Sequence, residues 1–241
     1  GRRLLSAHAA RFTPGYMASV PPEQAAADLA LVESMLQGTP AAISLERSSG
    51  RTAAAHELRI VLPRRLTIAE LLQMLQHLGA EPVSEQTYEL ANDEVQLYLH
   101  VVKLRAPAAT LSTGADRNRT VTCIQAVLDG VADSDPLNRL VLTADLSWHQ
   151  VAVLRALGAY LCQTRTTYSR AYVEEAMVVN PAAARALVFY FEARFSPDVD
   201  GDRAALQKDA NAALHASFDD VTSLDHDRIL RDLTQIVTAA V

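Results

Sequence analysis

Residues 136–197 read PLNRLVLTADLSWHQVAVLRALGAYLCQTRTTYSRAYVEEAMVVNPAAARALVFYFEARFSP, and the punctuation of this stretch decides the fold of the second half of the chain. Ser147 stands three residues before Gln150, the spacing at which a hydroxyl caps the third helical N–H while the amide returns to the cap. A helix to about Gln163 follows. Val151, Leu154, Leu157 and Leu161 recur at three- and four-residue intervals and form one apolar stripe, with Trp148 and Gly158 on its flank where a neighbouring helix has room to approach. YSRAYVEEAM is the second helix. Asn180-Pro181 opens the third, because asparagine is a good cap and proline at the first helical position loses only an N–H without a partner. Ala184, Leu187, Val188, Phe191 and Phe195 supply its stripe, and Pro197 lies just past its end. These features are packing instructions, and none is chemistry.

Downstream, 202–218 and 225 to the end keep the helical period, the last with Ile229, Leu233, Ile236 and Val237. Upstream, 116–132 does the same with Val121, Ile124, Leu128 and Val131. An all-α helical bundle domain is expected over 115–241. Ala106 to Gly114, with Pro107 and a run of small residues, reads as a linker. Before it the period changes. Residues 1–20 have little pattern and are expected to form an N-terminal arm with a turn at Pro14-Gly15. Pro21-Pro22 opens a helix to about Gln37 that Gly38 stops.

Alternation then predicts strands at 41–47, 56–62, 82–89 and 94–103, and Pro63 ends the second of them. Between the strand pairs, Thr67 and Glu70 form another capping box ahead of Ile68, Leu71, Leu72, Leu75 and Leu78, and Gly79 terminates the helix. Helix, two strands, helix, two strands over 21–105 predicts an α+β unit: an antiparallel sheet with both helices on one face, a two-layer sandwich.

The chain has 241 residues, 49% of them hydrophobic, which is enough for one large domain or two modest ones. A net charge of -6 with scattered basic residues argues against nucleic acid as a partner. No apolar run approaches the roughly 20 residues needed to cross a bilayer, so a cytoplasmic, membrane-free protein is expected. Cys123 and Cys162 are too few for a disulfide framework and read as free, buried thiols. The lack of an initiating Met and the C-terminus inside a helical pattern are expected of a piece of a longer polypeptide.

The search for chemistry finds little. Nine glycines form no GxGxxG or GxxxxGK cluster, so a dinucleotide is not expected to bind, and the only lysines, Lys103 and Lys208, lie on a strand end and a polar helix face. Asp198, Asp200 and Asp202 around Gly201 depart from calcium-loop spacing and read as a loop with a helix cap. His100 and His149 have no second histidine or cysteine three or four residues away, and His226 sits between Asp225 and Asp227, which favour a helix start through its dipole. Ser147, Ser169 and Ser196 lack a nucleophile elbow, and capping accounts for the first two. Arg59, Arg64 and Arg65 cluster near a strand end where they have the chemistry to grip an effector carboxylate, although solvated arginines are the plainer reading. Tyr168, Tyr172, Phe189, Tyr190, Phe191 and Phe195 read as an inter-helix core. No catalytic, cofactor-binding or metal-binding residue is assigned.

The wording NRLVLTADLSWHQVAVLRALGAYLCQ, YSRAYVEEAM and NPAAARALVFYFEARFSPD, with RFTPGYMASVPPEQAAADLALVESM, LRIVLPRRLTIAELLQMLQHLGAEPVSEQTYEL and LDHDRILRDLTQIV, resembles the large bacterial NAD-specific glutamate dehydrogenases. The resemblance implies an ACT-like, ferredoxin-like regulatory domain and a helical connector that runs on into a catalytic domain outside this chain. It further implies NAD for the parent enzyme but no cofactor here. The implied partners are the parent's catalytic domain, other subunits of a homo-oligomer and an amino-acid effector. The ACT-type fold begins with a strand, whereas none is evident here before the first helix; either the arm supplies it or the last strand takes its place.

Overall fold

The computed structural model describes residues 12–48, 56–91, 95–106, 110–164, 166–198 and 201–240. The chain divides into two units, Gly1–Asp133 and Ser134–Val241. The first contains α1 (Pro14–Ser19), α2 (Pro22–Leu36), β1 (Ala42–Arg47), β2 (His56–Leu62), α3 (Ile68–Leu78), β3 (Glu81–Ala91), β4 (Gln96–Arg105) and α4 (Gly114–Leu128). Its four strands form one antiparallel sheet in the order β1-β2-β4-β3. The last strand therefore takes an interior place beside β2, and among the described residues no strand precedes α2. The expected arm contains α1, which Thr13 caps by accepting from the Tyr16 N–H, with Pro14 in its first turn; Tyr16 is fully buried. Thr13-Pro14 is thus a helix start rather than a turn.

The layering differs from the expectation. Side chains at successive strand positions point to opposite faces, yet on β2 Leu58, Ile60 and Leu62 are buried on one face and Arg59 and Val61 on the other. A single layer of helices leaves one of these faces bare. The Val61 face joins Leu29 and Val32 of α2 and Tyr16 of α1 in a core with Ala42, Leu97 and Leu99. On the opposite face His100, opposite Ile60 in register, accepts from the Leu66 N–H just before α3, and His56 reaches the carbonyl of Leu111 just before α4. The helix of 22–36 thus covers one side of the sheet, and the connections that deliver α3 and α4 lie on the other. Alternation alone does not reveal that both faces are covered. The linker expected at 106–114 falls inside the first unit, because α4 packs on β1; residues 107–109 lie outside those described.

The second unit consists of a 3-10 turn (Pro136–Arg139), α5 (Leu140–Thr143), α6 (Trp148–Gln163), α7 (Arg170–Val179), α8 (Pro181–Phe195), α9 (Arg203–Ala216) and α10 (Leu224–Ala239). α10 packs against α6, α7 and α8 through Ile229, Leu230, Leu233 and Val237, all fully buried. The capping boxes at Ser147 and Thr67 form as the spacing predicts. Asn180 does not cap α8 through its side chain; its amide donates back to the Ala176 carbonyl and closes α7 instead.

Gly158 lies where α7 comes close. A Cβ there meets the Met177 Cε at 3.3 Å and the Val173 Cγ1 at 3.5 Å. The nearer contact is the mobile end of a methionine, which has room to yield. Gly158→Ala is expected to change stability by no more than about 1 kcal/mol, because the helix-propensity gain of about that size offsets the tight contact. Gly158→Leu should lower the unfolding midpoint clearly, as overpacking costs about 1–3 kcal/mol; chemical denaturation checks both.

Candidate functional site

Arg59 is not available to an effector. It is 6% exposed, and all three guanidinium nitrogens are engaged. Nη1 donates to both oxygens of Asp28 at 2.9 and 2.7 Å; Nε and Nη2 donate to the Glu57 Oε1 at 3.0 and 2.6 Å. The Tyr16 hydroxyl donates to the same Asp28 carboxylate at 2.6 Å. Burial pushes the Asp28 carboxyl above its ordinary 3.8, against the pull of Tyr16 and Arg59. Tyr16 is itself raised, first by burial and then by Asp28. The guanidinium does grip carboxylates, but both belong to the chain itself: Asp28 of α2 through Nη1, and Glu57 of β2 through Nε and Nη2.

Arg64 is half exposed and donates to Glu70 at 3.0 Å, which supports the capping box. Arg65 lines a small cavity of about 310 Å³ with Leu66, Thr67, Leu71, Glu85 and Thr87. Behind its wall lies His100, fully buried. The Leu66 N–H donates to the His100 Nε2 at 3.1 Å, so that nitrogen carries no proton and Nδ1 does. Nδ1 then donates to the Thr87 Oγ1 at 2.9 Å, and the Thr87 hydroxyl donates to the Glu85 carboxylate. Alternation along β4 gives no sign of this burial, because the groups that enclose His100, the Leu66 N–H and the Thr87 hydroxyl, come from the approach to α3 and from β3.

In the helical unit the six aromatic residues do not form one core. Tyr190 alone among them is buried, while Phe189 is 42% exposed. Ala183, Ala184, Leu187 and Val188 fill the α8 core face instead. Small residues let α8 pack closely, which leaves the rings at its margins. Two apolar grooves result. One, of about 1090 Å³, runs between α6 and α10 past Leu157, Tyr160, Phe191 and Ile236. The other, of about 840 Å³, lies between α8 and α9 past Ala186, Phe189, Leu206 and Ala213.

Residues 40–118 match the family model described as glutamate dehydrogenase, ACT3 domain, and residues 132–197 match that of glutamate dehydrogenase, helical motif 3. The chain is 32% identical to the NAD-specific glutamate dehydrogenase of Mycobacterium tuberculosis over 96% of its own length. It is 26% identical to those of Halomonas elongata and Pseudomonas aeruginosa over 98% and 99%. The chain belongs to the NAD-specific glutamate dehydrogenases. It spans 15% of the length of these relatives.

The glutamate dehydrogenase ACT3 match begins just before β1 and ends early in α4, so α1 and α2, with the Asp28 that holds Arg59, lie outside it. The helical-motif match covers the 3-10 turn through α8. Most of the remaining sequence candidates have structural partners. Asp202 caps α9 at the Ala204 and Ala205 N–H groups, and Asp200 lies outside the described residues. Ser169 caps α7, and the Ser196 hydroxyl accepts from the Asp198 N–H. His149 stacks on Trp148 at 3.6 Å. His226 is buried against Tyr172 and the Asn180 amide. Lys103 stands opposite Glu57 in the sheet, and Lys208 is exposed on α9. Among the described residues no group of three His, Cys, Asp or Glu side chains is placed to hold a metal, and no helix is long and apolar enough to cross a membrane. Cys123 is buried and Cys162 half-buried, and among the described residues neither is in a disulfide.

Proposed function

We propose that this chain is a non-catalytic regulatory and connecting part of an NAD-specific glutamate dehydrogenase. The parent reaction converts L-glutamate, NAD and water to 2-oxoglutarate, ammonia and NADH, a step of amino-acid catabolism, on a catalytic domain elsewhere in the polypeptide. In this reading the sheet with α3 and α4 is the ACT-like, ferredoxin-like part, and the helical unit is the connector. Its partners are the parent's own catalytic domain and other subunits of a cytoplasmic homo-oligomer. The observation that carries the reading is the pair of matches, to an ACT3 domain and to a helical motif of glutamate dehydrogenase; the two open grooves of the helical unit, lined mainly by apolar side chains, suit a connector that packs on a neighbouring domain. NAD belongs to the parent and not to this piece.

The amino-acid sensor is the second reading, favoured by the cavity beside Arg65, where a cation and the Glu85 carboxylate stand close enough to meet a zwitterion. One measurement tests the non-catalytic reading and a second separates the connector from the sensor. Assayed alone with glutamate and NAD, the chain is expected to produce no NADH, and measurable turnover would remove the non-catalytic reading. Calorimetry with glutamate, aspartate and the other common amino acids is expected to give no heat; a saturable signal lost in Arg65→Ala would establish the sensor instead.

A further inference from the structure

Leu66 is the residue immediately before the cap of α3, and it is held twice. Its side chain is 5% exposed beside Leu71, also buried, the pairing of a hydrophobic staple around the Thr67 cap. Its N–H has no strand or helix partner and donates instead to the His100 Nε2 on the interior strand β4. The junction between β2 and α3 is therefore fastened to the middle of the sheet by one imidazole lone pair.

That fastening runs in one direction only: Leu66 N–H to Nε2, Nδ1–H to the Thr87 hydroxyl, and the Thr87 hydroxyl to Glu85. A backbone N–H is a donor and nothing else. A proton added at Nε2 turns the acceptor into a second donor facing the first, and the bond to Leu66 cannot survive. Glu85, 3.5 Å from Nδ1 and partly exposed on β3, would remain as counter-ion to the imidazolium. We propose that His100 is a proton-operated latch that holds the β2–α3 junction while neutral and releases it when protonated.

The charges around the latch are few. Glu85 on β3 favours the imidazolium; Arg64 and Arg65 in the junction oppose it. From α3, Glu70 is tied to Thr67 and Arg64, and Leu71, Met74, Leu75 and Leu78 present apolar surface. Burial is the largest influence and holds His100 below the ordinary 6.5. The unfolded chain thus binds its proton first as pH falls, so the latch contributes stability above about pH 6.5 and loses it as pH drops toward the folded value. His56, also lowered by burial, works in the same sense at the approach to α4, with its Nδ1 unpartnered. It must be separated from His100 by experiment.

The test follows imidazole nitrogen shifts and amide exchange of the whole chain between pH 7.5 and 5. His100 is expected to begin as the Nδ1–H tautomer. Protection of the Leu66 N–H and of the first turn of α3, corrected for intrinsic exchange, is expected to fall by up to about tenfold for each pH unit between the ordinary imidazole value of 6.5 and the lower folded value of His100, and to level off below it. The amides of β2 and β4 should hold. His100→Gln places an amide where the imidazole was and removes the titration, so the step should disappear, whereas His56→Gln should leave it in place. Leu66 protection that stays level while the His100 nitrogens titrate would overturn the proposal. So would a His100 that stays neutral until the unit unfolds, which the parent chain reveals even if the variant fails to fold.

Discussion

Arg59→Met is expected to destabilise the first unit by about 3–5 kcal/mol, the cost of leaving a buried carboxylate without its counter-ion. Asp28 is fully buried, and its remaining partners, the Tyr16 hydroxyl at 2.6 Å and the Gln24 side chain, carry no charge to replace the two guanidinium contacts. The loss is a property of the broken pair and not a measure of what the pair adds. Replacing Arg59, Asp28 and Tyr16 together by Met, Leu and Phe should restore most of the stability, because an apolar trio of similar volume carries no desolvation cost. Urea denaturation of the single and triple variants compares the two; a single variant within about 1 kcal/mol of the parent would show that Asp28 is solvated or neutral in the folded chain.

Leu154→Ala is the counterpart in the helical unit. Leu154 is fully buried on α6, whose neighbours are α7, α8 and α10. Truncation removes three carbon atoms from a close-packed interior and leaves a cavity, an expected loss of about 2–5 kcal/mol. The loss should appear in the unfolding of 134–241, followed through Trp148, the chain's one tryptophan. An unchanged midpoint would mean that the surrounding helices collapse onto the space.

Helix boundaries in the second unit were legible because their signals are local. Ser147 with Gln150, Ser169, and Pro181 state helix starts within three or four residues, and each start is where those signals place it. Strand alternation was equally plain, but which sides of the sheet are covered depends on residues 30 positions away. Arg59 looked like a surface arginine because Asp28, its partner, lies on a different element with nothing local to connect them. Thr13-Pro14 was readable as a cap followed by a first-turn proline, and the short helix behind it was missed because Tyr16 alone carries its buried face. The aromatics of α8 misled for a different reason: size promises burial, yet Ala183, Ala184 and Ala193 take the inner positions and displace the rings outward. His100 gave no sign of its role, since its partner is a main-chain N–H that no side-chain spacing reports.

The outer strand β3 has 11 residues and, among the described residues, one border without a partner strand. A strand of that length invites another chain to add to it, which is how soluble sheets begin to form fibrils. Here Pro82 withholds an N–H, the register slips between Pro82 and Ser84, and Glu81, Glu85 and Glu89 bring negative charge along the strand. When a cell makes many copies at once, that border should repel its own kind, so crowding during synthesis need not end in aggregates.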